Sequence, residues 1–200
     1  LISLTWVAAL GPISFAANTA AVAVESFSFM PGYAFAVAAT TLVGQRLGAG
    51  KPREAAKTGT LAALMAVGFM GTMALCFLLF PHQIMKIFSP PEKEVLHLGV
   101  ACLRVAAVEQ PFIAITYTLF GALKGAGDTR RPLLAWFVAY FVVRLPLIYA
   151  VVYIFRLGVI YVWWGTAIQH LTASLIMLSF YRRSQWHRLA RKPAYALEKA

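Results

Sequence analysis

From Ile13 to Gly44 the chain runs for 32 residues with a single acidic or basic side chain, Glu25. About 20 apolar residues in a helix cross the hydrocarbon of a bilayer, so this stretch is long enough to span one. A carboxyl group at that depth costs roughly 3 kcal/mol or more, and is kept only where it faces protein, water or a transported species. Whatever fold the chain adopts must surround that acid.

Hydrophobic residues make up 60% of the sequence and charged residues 12%, with a mean hydropathy of +0.72. A water-soluble domain of this size would lack polar surface, so the class is integral membrane protein. Strand alternation is missing and the apolar runs have helical length, which predicts an all-α, polytopic helical bundle. Full spans are expected over 13–44, 58–80, 95–123, 132–155 and 158–181, with Leu1 to Leu10 as the tail of another. The bundle would occupy 1–183 and a basic tail 184–200. The start has neither an initiating Met nor a basic leader, which is expected of a fragment of a longer protein and not of a signal peptide.

The distribution of charge sets the expected orientation. Arg46, Lys51, Arg53, Lys57, Lys124, Arg130, Arg131, Arg182, Arg183, Arg188, Arg191, Lys192 and Lys199 fall on one set of loops and the tail, against Lys86, Lys93 and Arg156 on the other. The positive-inside rule places the thirteen, and the C-terminus, in the cytoplasm. Confinement of basic residues to loops also argues against a nucleic-acid partner, despite the formal charge of +11. Pro90-Pro91 and Leu157-Gly158 are expected to turn the chain outside, and Gly11-Pro12 to begin the first full span there. Cys76 and Cys102 lie in apolar spans, where a small hydrophobic role is expected.

Two turns on the basic side repeat one pattern 77 residues apart: Leu47-Gly48-Ala49-Gly50-Lys51-Pro52-Arg53 and Lys124-Gly125-Ala126-Gly127-Asp128-Thr129-Arg130. Neither has phosphate-loop spacing, and both follow membrane helices instead of strands. They read as helix-turn-helix connectors, with glycine in the left-handed conformation and the next helix starting at Pro52 or Asp128.

Val24-Glu25-Ser26-Phe27-Ser28-Phe29-Met30-Pro31-Gly32, then Leu42-Val43-Gly44-Gln45-Arg46-Leu47-Gly48-Ala49-Gly50, then Glu109-Gln110-Pro111 and Gly121-Ala122-Leu123-Lys124-Gly125-Ala126-Gly127-Asp128-Thr129 closely resemble, in order and spacing, the MATE multidrug and toxic compound extrusion transporters. The resemblance implies two six-helix lobes forming a V, with this chain holding most of the C-terminal lobe and the N-terminal lobe of the same protein as its missing partner. It further implies exchange of organic, often cationic, small molecules for H+ or Na+ across a membrane, without a cofactor. A bacterial inner membrane is the expected location. Where the sodium-coupled branch has a carboxylate shortly after the equivalent of Gln110, this chain has Ile113, and a second acid of that site would lie on the truncated helix. The coupling ion stays open.

Helix rise places Glu25 about 18 Å from the outer end of its span, with Glu109, Arg144 and His170 at similar depth on three other spans. These four are expected to line a polar pathway, with Arg144 paired to one acid and locking two helices together. Asn18 and Gln110 are expected to hydrogen-bond between helices or to cargo, and His170 to hydrogen-bond between helices, with a proton relay as the alternative. Tyr140, four residues from Arg144, should share its face and offer a cation-binding ring. Pro31, Gly32, Pro111 and Pro146 interrupt spans and are candidate hinges. No acid or histidine cluster at helical spacing suggests an intramembrane enzyme. A lipid-linked oligosaccharide or lipid flippase of the same broad architecture, or a non-transporting structural subunit, are the alternatives; two acids against one central arginine favour cationic cargo.

Overall fold

The computed structural model describes residues 2–89, 92–184 and 186. Every regular element among them is helical: α1 (Ile2–Ala8), α2 (Pro12–Gly48), α3 (Pro52–Leu79), α4 (Pro81–Phe88), α5 (Lys93–Gly125), α6 (Arg130–Phe137), α7 (Leu145–Tyr149) and α8 (Val159–Arg182). Wider, π-helical turns over Val138–Arg144 and Ala150–Ile154 join α6 and α7 into one rod, Arg130–Ile154. That rod, α2, α3 and α5 are long and apolar enough to cross a membrane. α8 has 24 residues but carries Gln169 and His170 amid its aromatics. The Pro90-Pro91 break and most of the 184–200 tail lie outside the described residues.

α5 is the axis of the bundle, enclosed by α2, α3 and α8. In its most apolar stretch 56% of the residues are buried, against 17% in the Arg130–Ile154 rod, so α5 faces protein and the rod mostly does not. Leu61, Leu64, Phe137, Val142 and Leu175 project outward and exposed. An apolar exterior around a core that holds carboxyl and amide groups is the arrangement a lipid solvent favours.

Small residues bring α2 and α5 together. A side chain at Gly121 would collide with the Ala36 backbone, and one at Gly125 with the Thr40 backbone. The Thr40 hydroxyl bridges the seam, 2.9 Å from Gly121 O and 2.8 Å from Ala36 O. Two glycines one turn apart allow this approach, as in other membrane helix pairs. Because the two helices run in the same direction, the seam sets a register: Ala36 meets Gly121 and Thr40 meets Gly125, both 85 positions apart.

The turns follow the expected glycine chemistry, with two differences. Gly50 (φ 71°) and Gly127 (φ 78°) take the left-handed conformation after α2 and α5. The next helices begin at Pro52 and at Arg130, two residues past Asp128. Asp128 instead sits in the turn, accepting the Arg131 amide at 3.3 Å and lying 3.5 Å from its Nε. In the Phe155–Gly158 turn the left-handed residue is Arg156 (φ 50°), not Gly158, because Phe155 and Leu157 donate back to Ala150 O and Val151 O and close the last wide turns of the rod.

Of the proposed hinges, Pro31, Gly32 and Pro111 sit within continuous helices, whereas Pro146 stands between the two π-helical segments. Proline removes an amide donor, and the wider turns on either side absorb that loss.

Gly121→Val forces α5 away from Ala36. The expected result is a loss of about 1–3 kcal/mol, read as a lower unfolding temperature in detergent. Gly71→Ala, which meets open space in α3, leaves stability unchanged or raises it by about 0.5–1 kcal/mol.

Candidate functional site

One stripe of α2 carries Asn18, Val22, Glu25 and Phe29 at helical spacing, and one stripe of α8 carries Val162, Trp163, Thr166 and His170. With Glu109 of α5, Arg144 of the rod, and Leu4 and Val7 of α1, they line a partly open cavity of about 240 Å³. Glu25 (7% exposed) and Glu109 (1%) point inward, away from the outer surface.

The carboxyl groups of Glu25 and Glu109 face each other closely enough for one, when protonated, to donate to the other. Their separation of 84 positions is nearly that of the Ala36–Gly121 and Thr40–Gly125 contacts, so the small-residue seam sets the register that brings the acids face to face. Such a bond requires one of the two carboxyls to carry the proton it donates. Glu109 also touches Thr166, whose hydroxyl lies 2.7 Å from Trp163 O. Glu109 Oε2 is buried with no hydrogen-bond partner among the described residues.

Arg144 lies in the same cavity but forms no ion pair within 4.0 Å among the described residues, contrary to the sequence expectation. Its Nη1 donates to Gln169 Oε1 at 3.1 Å, and its guanidinium carbon lies 5.5 Å from the centre of the Tyr140 ring. The reason is azimuthal. The rod packs along α8, so the guanidinium meets an α8 amide, while the acids occupy each other across α2 and α5. Nε of Arg144 has no partner among the described residues, nor has Nδ1 of His170.

The other expected residues divide cleanly. Asn18 Oδ1 accepts the Trp163 indole N–H at 3.2 Å, tying α2 to α8 at one side of the cavity. His170 lines the cavity with its ring edge-on to Trp136, 6.2 Å between centres. Gln110 is fully buried outside the cavity lining, and Tyr140 reaches the site only through Arg144. The sequence reading missed Trp163, Thr166 and Gln169 as partners. The spacing of Trp163, Thr166 and His170 was the available signal, since it marks one face of α8.

The sequence model of the MatE family matches residues 1–150. The chain belongs to the MatE family. Members of this family are transporters, not enzymes. The MatE chain is 33% identical over 183 residues to a probable multidrug resistance protein NorM of Brucella suis, covering 90% of this chain and 38% of that protein. It is 29% identical over 180 residues to a probable NorM of Thermotoga maritima, covering 90% of this chain and 39% of that one. In fold it matches a eukaryotic MATE transporter, AtDTX14, with a TM-score of 0.85 at 17% identity, over 92% of this chain and 41% of that one. The MatE chain thus spans about two fifths of the length of the curated relatives it matches.

Replacing Asn18 with Leu leaves the Trp163 N–H buried without an acceptor. The expected cost is about 1–3 kcal/mol, with a shift in tryptophan emission; unchanged stability and emission would remove Asn18 from the walls of the site.

Proposed function

We propose that this chain is the C-terminal lobe of a secondary antiporter that exports organic, predominantly cationic, compounds in exchange for protons. The carrying observation is the Glu25–Glu109 contact, buried within the bundle and lining a cavity. Two acids against one guanidinium give that cavity an anionic balance once both carboxyls ionise, which draws a proton back in and favours positively charged cargo beside the lobe. Arg144 in the same chamber opposes a second fixed cation there, and this favours H+ over Na+ as the coupling ion.

Size separates coupling from cargo. Drug-sized ligands occupy pockets of about 300–1,000 Å³, and the cavity of about 240 Å³ falls below that range. Cargo would therefore bind between this lobe and the N-terminal lobe of the same protein, while the carboxyl pair exchanges the ion. With α8 as a fifth full span, the bundle would sit in a bacterial inner membrane with its C-terminus in the cytoplasm, as the distribution of Lys and Arg supports. Pro146 and the π-helical segments beside it are then the place where the rod bends as the lobes alternate, because their backbone bonding already departs from the α pattern.

The test is ethidium efflux from cells carrying the complete transporter. Glu25→Gln and Glu109→Gln each cut pH-driven efflux by about tenfold or more while the protein still reaches the membrane. Normal efflux by both variants would overturn the assignment. Efflux driven by a sodium gradient at constant pH would overturn the choice of ion alone.

A further inference from the structure

A second concavity, separate from the one at the carboxyl pair, lies toward the end of the bundle that carries the Gly50 and Gly127 turns. Thr60, Ala63, Leu64 and Val67 form one stripe of α3, Ile115 and Leu119 one of α5, and Leu178, Tyr181 and Arg182 one of α8. Trp186, just past α8, completes the lining of a groove of about 420 Å³. From Thr60 to Val67 the wall rises about 10 Å along α3, some two thirds of one leaflet's hydrocarbon depth.

The groove is built, not incidental. Tyr181 donates its hydroxyl to Ala56 O at 2.6 Å, fastening the end of α8 to the start of α3. Gly59 leaves the room that the Tyr181 hydroxyl fills. Trp186 packs edge-on against Tyr181, 5.0 Å between ring centres. Leu64 is 64% exposed, so the walls open outward to where lipid would lie. At the mouth stands Arg182, exposed and without an acidic partner among the described residues.

An apolar trough of leaflet depth, with a guanidinium at its headgroup end and an indole beside it, matches one molecule: an acyl chain attached to a phosphate. We propose that the groove between α3, α5 and α8 binds one anionic phospholipid of the leaflet at the basic end, its chain along Leu64, Val67, Ile115 and Leu119 and its phosphate paired with Arg182. Binding there would hold α3 to α8 and stiffen that end of the bundle. The proposal does not depend on the transport reading.

The protein is reconstituted in mixed phosphatidylcholine and phosphatidylglycerol vesicles in which only one lipid has brominated chains. The Trp186 contribution to fluorescence is taken by difference from Trp186→Phe. At equal mole fraction, brominated phosphatidylglycerol should quench Trp186 about threefold more than brominated phosphatidylcholine, a preference of the size one juxtamembrane cation supplies. Arg182→Gln should bring the ratio to about one, whereas Arg183→Gln, outside the groove, should leave it unchanged. A ratio of one in the unaltered protein, equal loss in both arginine variants, or abolition of the preference by free inorganic phosphate would each overturn the assignment.

Discussion

The close approach of the Glu25 and Glu109 carboxyl groups inside the bundle is the constraint around which it is organised. Either carboxyl alone in hydrocarbon would cost several kcal/mol. Facing each other, with Thr166 beside Glu109, the two acids lie buried between α2 and α5, turned away from the outer surface of the bundle. The rest of the helix arrangement serves this contact. α5 is enclosed on the sides met by α2, α3 and α8, and the apolar faces of α3 and the Arg130–Ile154 rod are left for the bilayer.

The contact depends in turn on packing a good distance away. Gly121 and Gly125 let α5 touch the backbone of α2 at Ala36 and Thr40, and the register fixed there carries along two parallel helices to the acids. Helix pairs in lipid gain little from hydrophobicity, so close approach of backbones and a bridging hydroxyl have to supply the specificity. A sequence motif that looks like a turn signature, Gly121-Ala122-Leu123-Lys124-Gly125, therefore also places the polar centre of the membrane domain.

Much of this was legible in the residues. The helical class, the helix starts at Pro12 and Pro52, and the left-handed glycines at 50 and 127 all follow from apolar run length and proline and glycine chemistry. Depth along each helix also brought Glu25, Glu109, Arg144 and His170 to one cavity, because rise per residue is fixed. Azimuth was not legible. Arg144 was expected to meet an acid and meets Gln169 and Tyr140, since rotation of the rod is decided by packing on α8 and by its π-helical turns, which shift every side chain downstream. Gln110, expected to hydrogen-bond between helices or to cargo, is fully buried outside the cavity lining. The short α4 escaped notice because Pro81 ends one apolar run and begins another, and a hydropathy reading averages over both.

The central claim is that one proton is shared by Glu25 and Glu109 within the bundle. Infrared spectroscopy of the reconstituted protein near neutral pH reads it directly, as the C=O stretch of a protonated carboxyl that is slow to exchange in D2O. The account predicts one such band, shifted in frequency or lost in both Glu25→Gln and Glu109→Gln. A band that survives either substitution unchanged, or no protonated band at all, would contradict it.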